Sequence, residues 1–99
     1  MKIAVLSDTH DNIWKIDSAM EQAGEAELFL HCGDLCSPFV IKHLASGASG
    51  RPVHVVWGNN DGDPRMIAEV ARSHSNIELH GHFAELEVAG LKIALNHYP

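Results

Sequence analysis

The sequence predicts an α/β domain whose first half is a parallel βαβαβα unit and whose end is an antiparallel hairpin. Three observations lead there. Apolar runs suited to strands alternate with segments whose apolar residues recur at helical spacing, the pattern of strands joined by helical crossovers. Three of those runs end in the same kind of polar punctuation, "SDTHDN", "HCGDLC" and "GNNDGD". The final segments, "FAELEV" and "LKIALN", read as two strands joined across a tight "AG" turn.

Taken in order, Ile3 to Leu6 form a continuous apolar run that reads as a strand covered on both faces. Asn12 is placed to cap a helix carrying Ile13, Ile16, Met20 and Ala23, with Gly24 at its C′ position. "AELFLHC" is the second strand. Ser37 and Pro38 are the N-cap and N1 signals of the next helix, which the pattern ends before a loop over Ser46–Gly50. "PVHVVW" is the third strand, and Asp63-Pro64 repeats the cap-then-proline signal for a helix with Met66, Ile67, Val70 and Ala71. "IELH" is a short run of its own. In "FAELEV", Ala84, Leu86 and Val88 share one face, and Glu85 and Glu87 the other.

The chain of 99 residues is at most one domain, and a domain of that size buries only about 60–65% of its unfolded surface. No stretch has the apolar length of a membrane span, and no cleavable leader pattern follows Met1, so the expected location is cytoplasmic. The formal charge is −6, with no cluster of Lys or Arg. This argues against nucleic acid as a stable partner. A phosphorylated substrate remains compatible with it if bound metals supply the positive charge. Cys32 and Cys36 match neither a CxxC pair nor a disulfide framework and read as reduced thiols.

The strand ends carry the chemistry. Ligands of open α/β sheets collect beyond the carboxyl ends of the strands. Asp8 and His10, two apart, would point the same way if the backbone stays extended. Asp34 follows the second strand, Asn59 the third, and His97 the last. Gly33 and Gly58 precede two of these ligands, where a bend without a Cβ is useful. Carboxylate, imidazole and amide oxygen together suit Mn²⁺, Fe or Zn²⁺ better than a Ca²⁺ cage. Among the other histidines, His31 reads as structural, His43 and His74 as surface helix positions, His54 as mid-strand, and His80 and His82 as loop residues.

With those residues in place the chain resembles the calcineurin-like metallophosphoesterases, specifically their small bacterial and archaeal phosphodiesterase branch. "DTH" (8–10), "GD" (33–34), "GNND" (58–61) and "NHYP" (96–99) match the family's first four blocks in order. The resemblance implies a four-layer α/β/β/α sandwich, represented here by its N-terminal parallel half and one hairpin. It implies a dinuclear site in which Asp8 and His10 hold one metal, Asn59 and His97 the other, and Asp34 bridges. The two divalent ions would be Mn²⁺ first, with Zn²⁺, Fe or Ni²⁺ as alternatives. Hydrolysis of phosphodiesters or small phosphorylated compounds would proceed by attack of a metal-activated hydroxide, with no protein nucleophile.

Two departures matter. Many relatives have His where Asn60 stands, and Asn cannot protonate a leaving oxygen. Asn60 and Asp61 are therefore expected to support the metal ligands. The family's final Gly-His-x-His block does not occur among the 99 residues, so the expectation is a truncated domain with an impaired site, or a homodimer covering the open sheet edge. The competing function is a non-catalytic, protein-binding scaffold on the same fold.

Overall fold

The computed structural model describes residues 1–99. The elements are β1 (Ile3–Leu6), α1 (Ile13–Gln22), β2 (Leu28–His31), α2 (Pro38–Ala48), β3 (Val53–Val55), α3 (Pro64–Arg72), β4 (Ile77–Leu79), β5 (Phe83–Val88) and β6 (Leu91–Asn96). Strands β1 to β4 form one parallel sheet in the order β1-β2-β3-β4. Strands β5 and β6 form a separate antiparallel pair.

Side-chain alternation in the sheet sorts the core into two. Phe29, Val53, Val55 and Ile77 face the helices, where they meet Ile16 and Met20 of α1, Ile41 and Leu44 of α2, and Ile67 of α3. Leu28 and Leu30 point the other way, onto Ala84 of β5 and Leu95 of β6. The result is a helix layer, the parallel sheet and the hairpin, three successive layers of the expected sandwich. Within the hairpin, Ala84 pairs with Leu95 and Leu86 with Ile93, so the apolar positions of both strands share the inward face. Ala89 (φ 51°) and Gly90 (φ 81°) make its turn, with the two positive φ values that a two-residue hairpin of the I′ kind requires.

The start signals work largely as read. The Asn12 side chain accepts the Lys15 N–H at 3.1 Å, and Asp63 accepts the Met66 N–H at 3.1 Å. Ser37 stands at the N-cap of α2 but its hydroxyl makes no capping bond, so Pro38 carries that start. Other expectations are corrected. The parallel sheet has four strands, because "IEL" pairs with β3. Helix α2 continues through Ser46 and Gly47 to Ala48, where a loop was expected, because Ala45 and Ala48 are buried against the sheet. His74 lies beyond the end of α3. Strand β1 is a sheet edge with Val5 65% exposed, so only β2 is buried along its whole length.

Candidate metal centre

All the loops that carry chemistry leave the same end of the sheets. The chain after β1 is tied to the chain after β2 through the backbone: Asp8 N–H donates to Gly33 O (3.0 Å) and His10 N–H to Asp34 O (2.9 Å). Asp8 (φ 54°), His10 (φ 48°), Asp34 (φ 63°) and Cys36 (φ 70°) are all left-handed, a conformation that costs L-residues energy and persists only where surrounding contacts impose it. This corrects the reasoning from an extended "DTH". Asp8 and His10 reach the site because a left-handed loop wraps them around Gly33 and Asp34.

Asp34 is the centre of the arrangement. It is 2% exposed, and its two oxygens serve opposite sides. His10 Nε2 lies 3.7 Å from Oδ2 and His97 Nε2 lies 3.6 Å from Oδ1. The ligand atoms of Asp8, Asp34 and His97 all fall within 4.8 Å of one another. Two ligands about 2.1 Å from a shared cation would be roughly 3.0–3.4 Å apart, and the two His–Asp34 separations exceed this by a few tenths of an ångström.

Burial pushes the Asp34 carboxyl up, but hydrogen bonds from the Asn60 backbone (2.8 Å) and side-chain amide (3.2 Å), with the neighbouring His97 and the Asn59 backbone, more than offset it. The carboxyl ends below its ordinary value and stays ionised. Asn60 thus spends its polar groups on Asp34. Asp61 joins the loops: its carboxylate accepts N–H groups of Asp34 (3.3 Å), Leu35 (2.9 Å) and Cys36 (3.1 Å) after β2, and of Gly58 (2.6 Å) after β3.

His97 is oriented by a group no sequence motif displays. Its Nδ1–H donates to the Cys32 carbonyl at 2.9 Å, which leaves Nε2 as the lone-pair nitrogen facing Asp34. The Asn59 amide lies against the same nitrogen at 2.8 Å and satisfies its neighbours best with its NH₂ turned toward Asp34 and His97. A cation would require the opposite face, the amide oxygen, to turn inward.

The glycines act through close approach. A Cβ on Gly33 would lie 2.6 Å from Gly58 N, and one on Gly58 would lie 2.2 Å from Asp34 Oδ1. The loops after β2 and β3 therefore touch backbone to backbone, a tighter reason for glycine than a bend.

His31 is fully buried beneath the site. Gly33 N–H donates to its Nδ1 (3.1 Å), so its Nε2–H donates to Thr9 Oγ1 (2.9 Å). Burial lowers its pKa to about 4 against the opposing pull of Asp61, Asp8 and Asp34, and the ring is neutral. Both cysteines are free thiols, and burial, with nearby carboxylates, raises their pKa values. They are poor nucleophiles in this setting.

The donor set fits a divalent cation. Two carboxylates, two imidazoles and an amide converge, and no Lys or Arg pairs with Asp8 or Asp34, the basic ion pairs being Lys2–Glu25 and Arg65–Glu69 elsewhere. Asp8, His10, Asp34, Asn59 and His97 would hold such ions. A cleft of about 510 Å³ opens beside them, lined by His10, Cys36, Asn59 and Asn60 among others.

The remaining histidines are not isolated. His80 lies in the loop after β4, as expected, and places Nε2 2.9 Å from His54 Nδ1 beside Glu78, away from the Asp34 group. Burial lowers the His54 pKa, with Glu78 opposing and His80 reinforcing the shift. The alternation in "E-L-H" (78–80) was the available signal, since it puts Glu78 and His80 on one side of an extended strand. His43 bonds Asp17 at 2.9 Å and ties α2 to α1.

A sequence model of the calcineurin-like phosphoesterase superfamily domain matches residues 1–99, and the chain belongs to that family. It is 32% identical over 99 residues to a phosphodiesterase of Methanocaldococcus jannaschii, an alignment covering 98% of this chain and 58% of the relative. It is 44% identical over 64 residues to a probable metallophosphoesterase of Methanothermobacter thermautotrophicus, covering 62% and 36% of the two chains. Among solved structures, an archaeal phosphodiesterase superposes with a TM-score of 0.85 at 32% identity, over 95% of this chain and 57% of the other. An E. coli phosphoesterase superposes with a TM-score of 0.71 at 18% identity, over 99% and 58%, a likeness of fold. The chain thus spans less than two thirds of the length of each of these proteins. No helix is long and apolar enough to cross a membrane.

Proposed function

We propose that this chain carries the metal-holding part of a phosphodiesterase that hydrolyses small phosphorylated compounds, with two divalent ions, Mn²⁺ foremost, bridged by Asp34. The observation behind this reading is the buried Asp34 carboxylate with a different imidazole on each oxygen, His10 at 3.7 Å and His97 at 3.6 Å. Asp8 and His10 complete one side, and Asn59 and His97 the other. When bound, the ions would draw phosphate toward an acidic chain, polarise its oxygens and activate water for in-line attack.

The chain's own residues do the positioning. Cys32 O fixes the tautomer and ring plane of His97. Asn60 holds both oxygens of Asp34 ionised and aimed. Asp61 keeps the two loops in register, so that ligands from different strands keep their spacing. Lys15 borders the groove that contains Asp8 and His10 and gives it a cationic rim for an anionic substrate. With Asn at position 60, no side chain of this block donates a proton to the leaving oxygen, which favours substrates with good leaving groups.

The test pairs calorimetric Mn²⁺ titration with hydrolysis of a chromogenic phosphodiester, for the wild-type chain and Asp34→Ala. Saturable Mn²⁺ binding and Mn²⁺-dependent hydrolysis, both lost in the variant, are expected. Equal binding and equal turnover in the two proteins would contradict the reading.

A further inference from the structure

The parallel register of β3 and β4 sets His54 opposite Glu78, which puts their side chains on one face of the sheet. His80 follows two residues after Glu78 and returns to that side. Its backbone N–H donates to Val55 O (2.8 Å), and Trp57 N–H donates to Gly81 O (3.1 Å), so the segment stays docked on the chain leaving β3. The side chains converge: His54 Nδ1 is 2.9 Å from His80 Nε2 and 3.4 Å from Glu78 Oε2. All three ligand atoms lie within 4.8 Å of one another, and none belongs to the Asp34 group.

We propose that His54, Glu78 and His80 form a second, mononuclear metal site that takes one borderline divalent cation of the Zn²⁺ class. Two imidazole nitrogens and one carboxylate oxygen are a donor set that Zn²⁺ accepts, with a further position left to water. Ligand atoms about 2.0–2.2 Å from such an ion stand roughly 3.3–3.5 Å apart when tetrahedral. The 3.4 Å separation already meets this, and the 2.9 Å separation needs only a few tenths of an ångström of opening. The two rings are inclined by 27° with centroids 5.1 Å apart, so they meet nitrogen to nitrogen. Without an ion, one proton must sit between these nitrogens, since two lone pairs at that distance repel; a cation takes its place. Imidazole donors select against Mg²⁺ and Ca²⁺, which prefer all-oxygen shells.

The His54 side chain is only 16% exposed while that of Glu78 is 65% exposed, so the ion would have one wall in the sheet and an approach from solvent. Its effect is mechanical. It clips β4, an edge strand, to β3, whose chain leads through Trp57 and Gly58 to Asn59.

The site is tested by titrating Zn²⁺ into the isotopically labelled chain while following the ring nitrogens of His54, His80 and His97 by NMR. The expected result is a one-equivalent event that moves His54 and His80 together, absent with Mg²⁺. In His80→Gln the affinity of that event should fall by about 10–100-fold or more, with the His97 response preserved. Co²⁺ absorption gives an independent reading, a visible d–d band lost in His80→Gln and in His54→Gln. If the His54 and His80 rings stay unmoved while Zn²⁺ saturates His97, or if His80→Gln leaves the affinity unchanged, the site does not exist. The wild-type titration decides the matter even where a variant folds poorly.

Discussion

Replacing Asp61 by alanine isolates the interaction that holds the loops after β2 and β3 together. The carboxylate accepts four backbone N–H groups, at 2.6, 2.9, 3.1 and 3.3 Å, three from the chain after β2 and one from the chain after β3. A hydrogen bond to a charged group contributes about 1.5–3 kcal/mol. A sum over four bonds overstates the loss, because the longest is weak and Asp61 is half-buried, so water recovers part of it. A net destabilisation of about 2–4 kcal/mol follows. For a domain of this size each kcal/mol moves Tm by about 4–8 °C, so the variant should melt roughly 10–30 °C lower. Asp61→Asn should recover only part of this, since its NH₂ would face N–H donors. The assay is thermal unfolding by circular dichroism with EDTA present, so that metal occupancy does not enter. A shift of under about 3 °C, below the effect of one such bond, would show that the loops are registered by other contacts.

Other consequences follow from the same geometry. Gly58→Ala should cost about 1–3 kcal/mol and weaken Mn²⁺ binding, because its Cβ would stand 2.2 Å from Asp34 Oδ1 and 2.5 Å from Asp34 N; calorimetry showing wild-type affinity would contradict the close approach. The metal-free chain should lose stability as pH falls from about 6.5 toward 4. His31 is held neutral in the fold with a pKa of about 4, so in that window the unfolded chain binds the extra proton and is favoured. The full effect is about 3 kcal/mol. Urea unfolding at pH 7 and pH 4.5 reads it, His31→Gln should flatten the slope, and equal wild-type stability at the two values would refute the buried neutral ring.

Arg51 shows where a sequence pattern stops being informative. Nothing around "SGRPV" singles it out, yet its guanidinium donates to the carbonyls of Ala48 (2.6 Å), Gly24 (2.8 Å) and Ala26 (2.6 Å) and sits 4.8 Å over the Phe29 ring. It thereby satisfies chain ends from two crossovers that are more than twenty residues apart in sequence. The hairpin is the opposite case. Period-two alternation over 83–88 and 91–96 and an Ala-Gly turn are local signals, and the observed register follows them.

Local chemistry along the chain is enough to set the βαβαβα order, the helix starts at Asn12, Pro38 and Asp63, the hairpin, and the family blocks at the strand ends. Each depends on neighbours a few residues away, through caps, prolines and apolar period. Only the packed fold makes "IEL" a fourth parallel strand, brings Asp8 and His10 in on left-handed backbone, sets Gly33 against Gly58, aims His97 with the Cys32 carbonyl, and brings His54 to Glu78 and His80. These rest on contacts between segments distant in the chain, or on backbone atoms that every residue possesses. Such contacts depend on how layers pack and strands register, and no residue type announces them in advance.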